Sequence, residues 1–494
     1  MSIDNNRRSL IKGAGALPFL AALSALHSRD ALASTVTSLV DSPYGPVAPV
    51  NDLTTGLPLL MLPAGFSYKS YGWTGDVMAN GKATPGSHDG MAVITTRRVG
   101  RSTEIVLVRN HERSTGSDAT FFGSPAVYDS APSTVGGSSY SAGGTTNLYF
   151  RDGNWMRTEP SLGGTRTNCA GGPTPWGTWL TCEEVGSDAV SADGKKHGYV
   201  FEVTADPLQT TGQPIIGMGR YAHEAVAIDP ATGIVYLSED SSGRSGFYRY
   251  IPVDTSGVPG SLAKGGTLQM AKVIGQNNVS VIGAGVGDVH ALEWVTIANP
   301  DANRVANPVG PTGIVLSNTV AGPFAQGWTQ GALVMNRGEG MWYHEGKIYV
   351  MDTSGGAARE GTIWELDVAT QVMTCIFSSA NTLSGNNGDN ITVSPRGHIV
   401  ICEDGGTVND QFGPGTRIMG LTPEGGTFIF SKNNVNLTSA QLTAAGKLGS
   451  LAGDRRSSEF CGACFDPTGR FLFVNIQTPG ITFAITGPWA KGPI

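Results

Sequence analysis

The chain has 494 residues, of which only 15% are charged, and Gly (69) and Pro (28) together supply near one residue in five. That composition excludes a coiled coil or helical bundle, which would be rich in Ala, Glu, Lys and Leu, and favours many short strands joined by tight turns. The formal charge of −7 argues against a nucleic-acid partner, which selects for a basic balance, and a 40% hydrophobic content suffices for a large core.

Residues 6–12 read NRRSLIK, a twin arginine (Arg7, Arg8) followed by the apolar stretch Leu17 to Leu26 and an A-x-A cleavage signal at Ala31-Leu32-Ala33. This is the pattern of a twin-arginine export signal. It predicts that residues 1–33 are a signal peptide read by the twin-arginine translocase and that residues 34–494 form a single domain delivered to the periplasm or secreted. Beyond residue 33 no apolar run approaches the roughly 18 residues of a membrane span, so no stable span is expected. The six cysteines (Cys169, Cys182, Cys375, Cys402, Cys461, Cys464) are an even number in an exported chain. That permits disulfides, but spacing fixes no pairing and leaves a metal-thiolate role open.

The remainder repeats itself. An acid or amide opens a short β-like run, a Pro/Gly turn follows, then a hydrophobic run ends in further acids. The copies are DGMAVITTRRVGRSTEIVLVRNHE from Asp89, NCAGGPTPWGTWLTCEE from Asn168, EAVAIDPATGIVYLSED from Glu224, EGMWYHEGKIYVMD from Glu339, DNITVSPRGHIVICED from Asp389 and EFCGACFDPTGRFLFVN from Glu459. The turn glycines Gly177, Gly233, Gly346, Gly397 and Gly469 lie 56, 113, 51 and 72 residues apart. The doubled interval has room for another blade near Asp288-Val289-His290. Each copy reads as a β-hairpin. The predicted fold is all-β, a β-propeller of about six blades with loop insertions; a β-sandwich with coincidental hairpins is the alternative. A closed propeller has little exposed sheet edge, so a monomer is expected.

In such a ring the start of each first strand and the end of each second strand return to one face. Glu224, Glu339, Asp389 and Glu459 start strands, and Glu183, Glu184, Glu239, Asp240, Glu403 and Asp404 end them. Carboxylates converging on a partly buried channel repel one another and must take up protons or cations. Oxygen ligands suit hard cations such as calcium, whereas a thiolate among them suits a transition metal; Cys169, beside a strand start, could supply one. Each acid taken alone also reads as a solvated turn residue, and the inference rests on their recurrence at one register. His223 could orient Glu224, bind metal or serve the fold, and Asn110, His111 and Glu112 end a strand that could face the same site. Arg337 stands two residues before Glu339, on the same side of an extended strand, and a guanidinium beside metal suits an oxyanion. Cys461 and Cys464 have CxxC spacing, but no second such pair accompanies them.

The blocks RTNCAGGPTPWGTWLTCEE (166–184), YAHEAVAIDPATGIVYLSED (221–240), RGEGMWY (337–343), GDNITVSPRGHIVICEDG (388–405) and SSEFCGACFDPTGRFLFVNIQTPGITFAITGPW (457–489) resemble the PhoX alkaline phosphatase family. The resemblance implies an exported propeller that hydrolyses phosphomonoesters with two ferric ions and two or three calcium ions. It implies Cys169, Glu183, Glu224, Glu339, Asp389, Glu403 and Asp404 as metal ligands, with Arg337 and Asn110 contacting the phosphate of a small-molecule ester. A phosphodiesterase or calcium-dependent lactonase on the same scaffold, or a non-catalytic binding propeller stabilised by metal, are the alternative readings.

Overall fold

A computed structural model describes residues 36–132 and 139–494 of the chain. The predicted signal peptide, 1–33, lies outside the described residues. Six strands form the inner ring: His88–Val99, Asn168–Pro173, His223–Ile228, Gly338–His344, Gly388–Val393 and Phe460–Phe465, which open blades one to six. They neighbour one another in chain order, and the sixth returns to the first. Each pairs antiparallel with the strand that follows it: Ser102–His111, Thr178–Glu183, Val235–Glu239, Lys347–Asp352, Ile399–Glu403 and Leu472–Ile476.

The turns between these pairs show why the glycines recur. Gly177, Gly233, Gly346, Gly397 and Gly469 all have φ between 69° and 83°, and Gly100 completes the set in blade one at 62°. A side chain disfavours that left-handed backbone, so glycine marks each hairpin.

The ring closes by pairing early strands with late ones. Ser67–Tyr71 pairs with Ile481–Thr486 and becomes the outer strand of blade six. Leu60–Pro63 pairs with Thr427–Asn433 and, with Val47–Val50, extends blade five. The doubled glycine interval holds no additional blade. Val289–Thr296 pairs with Gly266–Val273 on one side and Val372–Ser378 on the other, an outer strand that joins blades three and four into one continuous sheet. Between Thr296 and Gly338 the chain makes a loop excursion that carries a short ribbon, Val305–Ala306 with Thr319–Val320, and the helix Gly322–Thr329.

The core is distributed between blades, where sheet faces meet. Phe428, Phe430 and Val400 of blade five pack against Phe460, Leu472 and Phe483 of blade six. Trp179, Tyr199 and Phe201 of blade two pack against Val106, Leu148 and Phe150 of blade one. Burial of each such side chain contributes about 1.5–3 kcal/mol. The first residue of every inner strand pairs with the last of its partner: His88 with His111, Asn168 with Glu183, His223 with Glu239, Gly338 with Asp352, Gly388 with Glu403 and Phe460 with Ile476. A bulge follows in all six pairs. Bulges bend a strand and re-aim its side chains; here they recur at the ring's mouth.

Candidate metal centre

Three positions per blade build the mouth. The residue after each second strand donates its N–H to the carbonyl of the residue before each inner strand. These bonds run from Glu112 to Ser87 (2.8 Å), Glu184 to Thr167 (2.8 Å), Asp240 to Ala222 (3.0 Å), Thr353 to Arg337 (2.9 Å), Asp404 to Asn387 (3.0 Å) and Gln477 to Glu459 (3.3 Å). Ser87, Thr167, Arg337 and Asn387 reach this arrangement with φ of 51°, 47°, 66° and 47°, a left-handed backbone rare outside glycine and asparagine. The third position is the second residue of the inner strand: Asp89, Cys169, Glu224, Glu339, Asp389 and Cys461.

Nine of these side chains converge. Ligand atoms lie within 4.8 Å of one another in four overlapping groups: Glu112–Cys169–Glu184, Asp89–Glu112–Glu459, Glu224–Glu339–Asp389 and Asp389–Asp404–Glu459. Every blade contributes. Asp89, Cys169, Glu224, Glu339, Asp389 and Glu459 are buried, and Asp404 lies open to solvent.

So much negative charge at low exposure is unfavourable without a counterion. Burial, reinforced by neighbouring carboxylates, pushes Asp89, Glu184, Glu224, Glu339 and Glu459 well above the usual carboxylate range. Glu112 and Asp389 are pushed up to about 7. The Cys169 thiol is raised by its burial and then by Asp89, Glu224, Glu112 and Glu184. Its Sγ lies 3.8 Å from Asp89 Oδ2.

The donor set fits multivalent cations on direct grounds. Both carboxylate oxygens of Glu224, and Oδ1 of Asp89, are buried without a hydrogen-bond partner. Native structures seldom leave such atoms unpaired. Glu339 Oε1 sits 2.8 Å from Arg337 Nη2, an ion pair whose angle falls outside hydrogen-bond geometry. Three groups offer oxygen alone, the chemistry of hard cations; the group with Cys169 adds the soft ligand a transition metal prefers.

Of the acids expected to bind metal, Glu224, Glu339, Asp389 and Asp404 enter the cluster together with Cys169, whereas Glu183 and Glu403 do not. Glu183 Oε1 accepts from the Arg166 N–H (2.8 Å) and meets His197 Nδ1 at 2.6 Å, while Oε2 accepts from Gly198 N (2.8 Å) and Tyr199 N (3.2 Å). Glu403 is held by Arg417 through Nε (2.7 Å) and Nη2 (2.6 Å) and accepts from Asn386 N. Successive strand residues face opposite ways. The first acid of each Glu-Glu or Glu-Asp pair therefore turns into the blade, and the second faces the mouth. Glu239 follows the same rule, bound to Tyr248 Oη and Gly246 N.

Asn110 does not reach the mouth either. Its amide donates to the carbonyls of Cys169 (3.0 Å) and Ala170 (2.7 Å) and accepts from Trp179 Nε1 and Thr181 Oγ1, which uses both donors and both acceptor sites. It fixes the backbone that carries Cys169. His223 faces away from Glu224: its Nε2 meets the Gly219 carbonyl, and its ring stacks on Tyr221. Arg337 stands at the mouth, its side chain one-third exposed, bonded to Asp240 and paired with Glu339. All six cysteines are buried free thiols, so no disulfide joins Cys182 to Cys402, and Cys461 Sγ donates to the His88 carbonyl at 3.0 Å. The assigned ligand set passes over Asp89, Glu112, Glu184 and Glu459. The signal for all four is in the repeats: Asp89 and Glu459 open their copies, Glu112 closes the first, and Glu184 is the second member of an acid pair.

A family model for alkaline phosphatase PhoX matches residues 42–159 and 142–480. The chain belongs to the PhoX family. No curated protein matches the chain. Among solved structures its fold is similar to PhoX of Pseudomonas fluorescens in complex with vanadate, a transition state analogue, with a TM-score of 0.60 at 17% identity over 91% of this chain and 99% of that one. A gluconolactonase from Xanthomonas campestris aligns over 90% of this chain and 98% of its own at 11% identity, with a TM-score of 0.34. A putative 6-phosphogluconolactonase from Bacteroides uniformis aligns over 82% and 94% at 12% identity, with a TM-score of 0.31. The PhoX likeness at this identity describes the scaffold, and the two lactonase likenesses are too slight to carry an argument.

Proposed function

We propose that this protein is a metal-dependent phosphomonoesterase whose reaction takes place at the acid-lined mouth of the propeller. The observation that carries the reading is the convergence of eight carboxylates and one thiol around one axis, with both oxygens of Glu224 buried and unpartnered and one guanidinium at the rim. Membership of the PhoX family supplies the reaction class. Two ferric ions and two or three calcium ions are the proposed occupants, held by Asp89, Glu112, Cys169, Glu184, Glu224, Glu339, Asp389, Asp404 and Glu459.

When bound, such cations neutralise phosphoryl charge and make water a stronger nucleophile. The protein's own groups do the rest. Arg337 holds a phosphoryl oxygen at the rim, where a guanidinium matches the planar spread of oxyanion charge. Glu339 pairs with that guanidinium at 2.8 Å. Asn110 fixes the Cys169 backbone so that the thiol stays in register with Glu112 and Glu184. The twin-arginine segment supports export of the folded, loaded monomer to the periplasm or beyond.

Elemental analysis of protein recovered from its export route, run beside phosphate release from an aryl phosphomonoester, tests this. Iron and calcium should co-purify, and chelation should abolish release. A metal-replete protein that releases no phosphate overturns the reading. Cys169→Ser should lower iron while leaving calcium; unchanged iron removes Cys169 from the site. Arg337→Ala should raise KM at least tenfold with metal content intact, because a charge-assisted contact contributes about 1.5–3 kcal/mol.

A further inference from the structure

The position after the second strand supplies a ligand-group carboxylate in blades one, two and five, as Glu112, Glu184 and Asp404. Blade three has an acid there too, Asp240, yet it enters none of the four groups. It binds Arg337, accepting from Nε at 3.0 Å and Nη2 at 3.1 Å, and its carboxyl also meets that of Glu184. We propose that Asp240 is a positioning residue for the oxyanion, setting the orientation of Arg337 and keeping its Nη1 edge turned outward. The proposal deepens the phosphatase reading and rests on it.

Three observations carry it. First, the guanidinium is pulled from several sides. Glu339 lies 2.8 Å from Nη2, and Asp240 lies 3.0 Å from Nε. Without Asp240 the remaining attraction comes from the ligand carboxylates, and the side chain relaxes inward. Second, Nη1 makes no hydrogen bond to protein among the described residues, and the side chain is one-third exposed. The open edge is the one a phosphoryl oxygen could take. Third, Asp240 sits on a rigid mount. Its N–H is bonded to the Ala222 carbonyl. The loop beyond it is tied to the segment carrying Arg337 through Arg337 N to Ser241 O, Gly243 N to Asn336 Oδ1 and Gly338 N to Ser245 Oγ. Asp240 and Arg337 are thus fixed to each other across two blades, the preorganisation that makes an oxyanion contact effective.

The test is a double-mutant cycle on the metal-loaded protein, read by calorimetric titration of inorganic phosphate, by kinetics with an aryl phosphate and by metal content. Asp240→Asn should weaken phosphate binding about tenfold and raise KM by a similar factor, with iron and calcium per chain unchanged. Asp240→Glu, which keeps the charge, should recover part of the loss. On an Arg337→Ala background, Asp240→Asn should have no further effect, the signature of two residues acting as one unit. Additive losses, undiminished phosphate affinity in Asp240→Asn, or metal lost in step with affinity would each overturn the assignment. A parent protein that binds phosphate yet hydrolyses no monoester defeats the phosphatase reading, while its phosphate titrations still decide the role of Asp240.

Discussion

Glu183 and Glu184 are adjacent in sequence and opposite in circumstance. The first is fully buried and bonded to His197 and three backbone N–H groups; the second faces the mouth with Glu112 and Cys169. Glu183→Gln should cost about 3 kcal/mol in a denaturant titration, because it removes one of the two carboxylates paired with the buried His197, Asp129 at 3.1 Å being the other, yet should leave metal bound per folded chain unchanged. Glu184→Gln should do the reverse, lowering metal content with little loss of stability. The acid pairs were legible in the sequence; which member binds was not. That choice depends on where the second strand ends, and a one-residue slip exchanges the two faces. For a related reason an amide at a strand end, Asn110, resembles a site residue in sequence, whereas its four bonds hold it inside the sheet.

At the scale of elements, the hairpins were readable because their cause is local. A glycine with φ near 75° is required at each turn, and alternating apolar residues flank it. Strand neighbours across blades have no such local cause, which is why Val289–Thr296 looked like a further blade rather than a joining strand. The inner ring makes a sharper demand. A Cβ on Gly340 would lie 2.6 Å from the Asp389 carbonyl oxygen and 2.7 Å from Ile391 N, and one on Gly90 would lie 2.6 Å from Ala170 Cα. Adjacent inner strands touch backbone to backbone there, just below the ligands. Gly340→Ala should therefore push blades four and five apart, at a cost of about 1–3 kcal/mol, and should weaken metal retention by the group that spans them, Glu224, Glu339 and Asp389. Melting of the metal-free and loaded forms separates the two effects. At the mouth, Thr167 has φ 47°, which a β-branched residue tolerates poorly. Thr167→Asn should stabilise the fold by about 0.5–1 kcal/mol, since Asn387 occupies the equivalent place in blade five.

Across the whole molecule the carboxylate ring sets a pH dependence. Burial and neighbouring acids push Glu112 and Asp389 up to about 7 in the fold, from about 4 in an unfolded chain, and hold Glu224 and Glu339 well above the usual carboxylate range. The folded, metal-free chain therefore binds more protons than the unfolded one, so its stability falls as pH rises. After chelation, the melting temperature should decrease steadily from about pH 5 to pH 8, and added metal should flatten or reverse that slope. A metal-free protein whose stability rises over that interval contradicts the electrostatics described above.

Ser67–Tyr71 and Ile481–Thr486 share a sheet, and Glu459 of that blade completes groups with residues from blades one and five. A ribosome still translating residue 450 has produced eight of the nine converging positions, all but Glu459, yet holds only an open arc with no last blade to bend it shut. The full cluster therefore assembles only after Ile481–Thr486 has been made and has paired with Ser67–Tyr71, so its last site is the last to form.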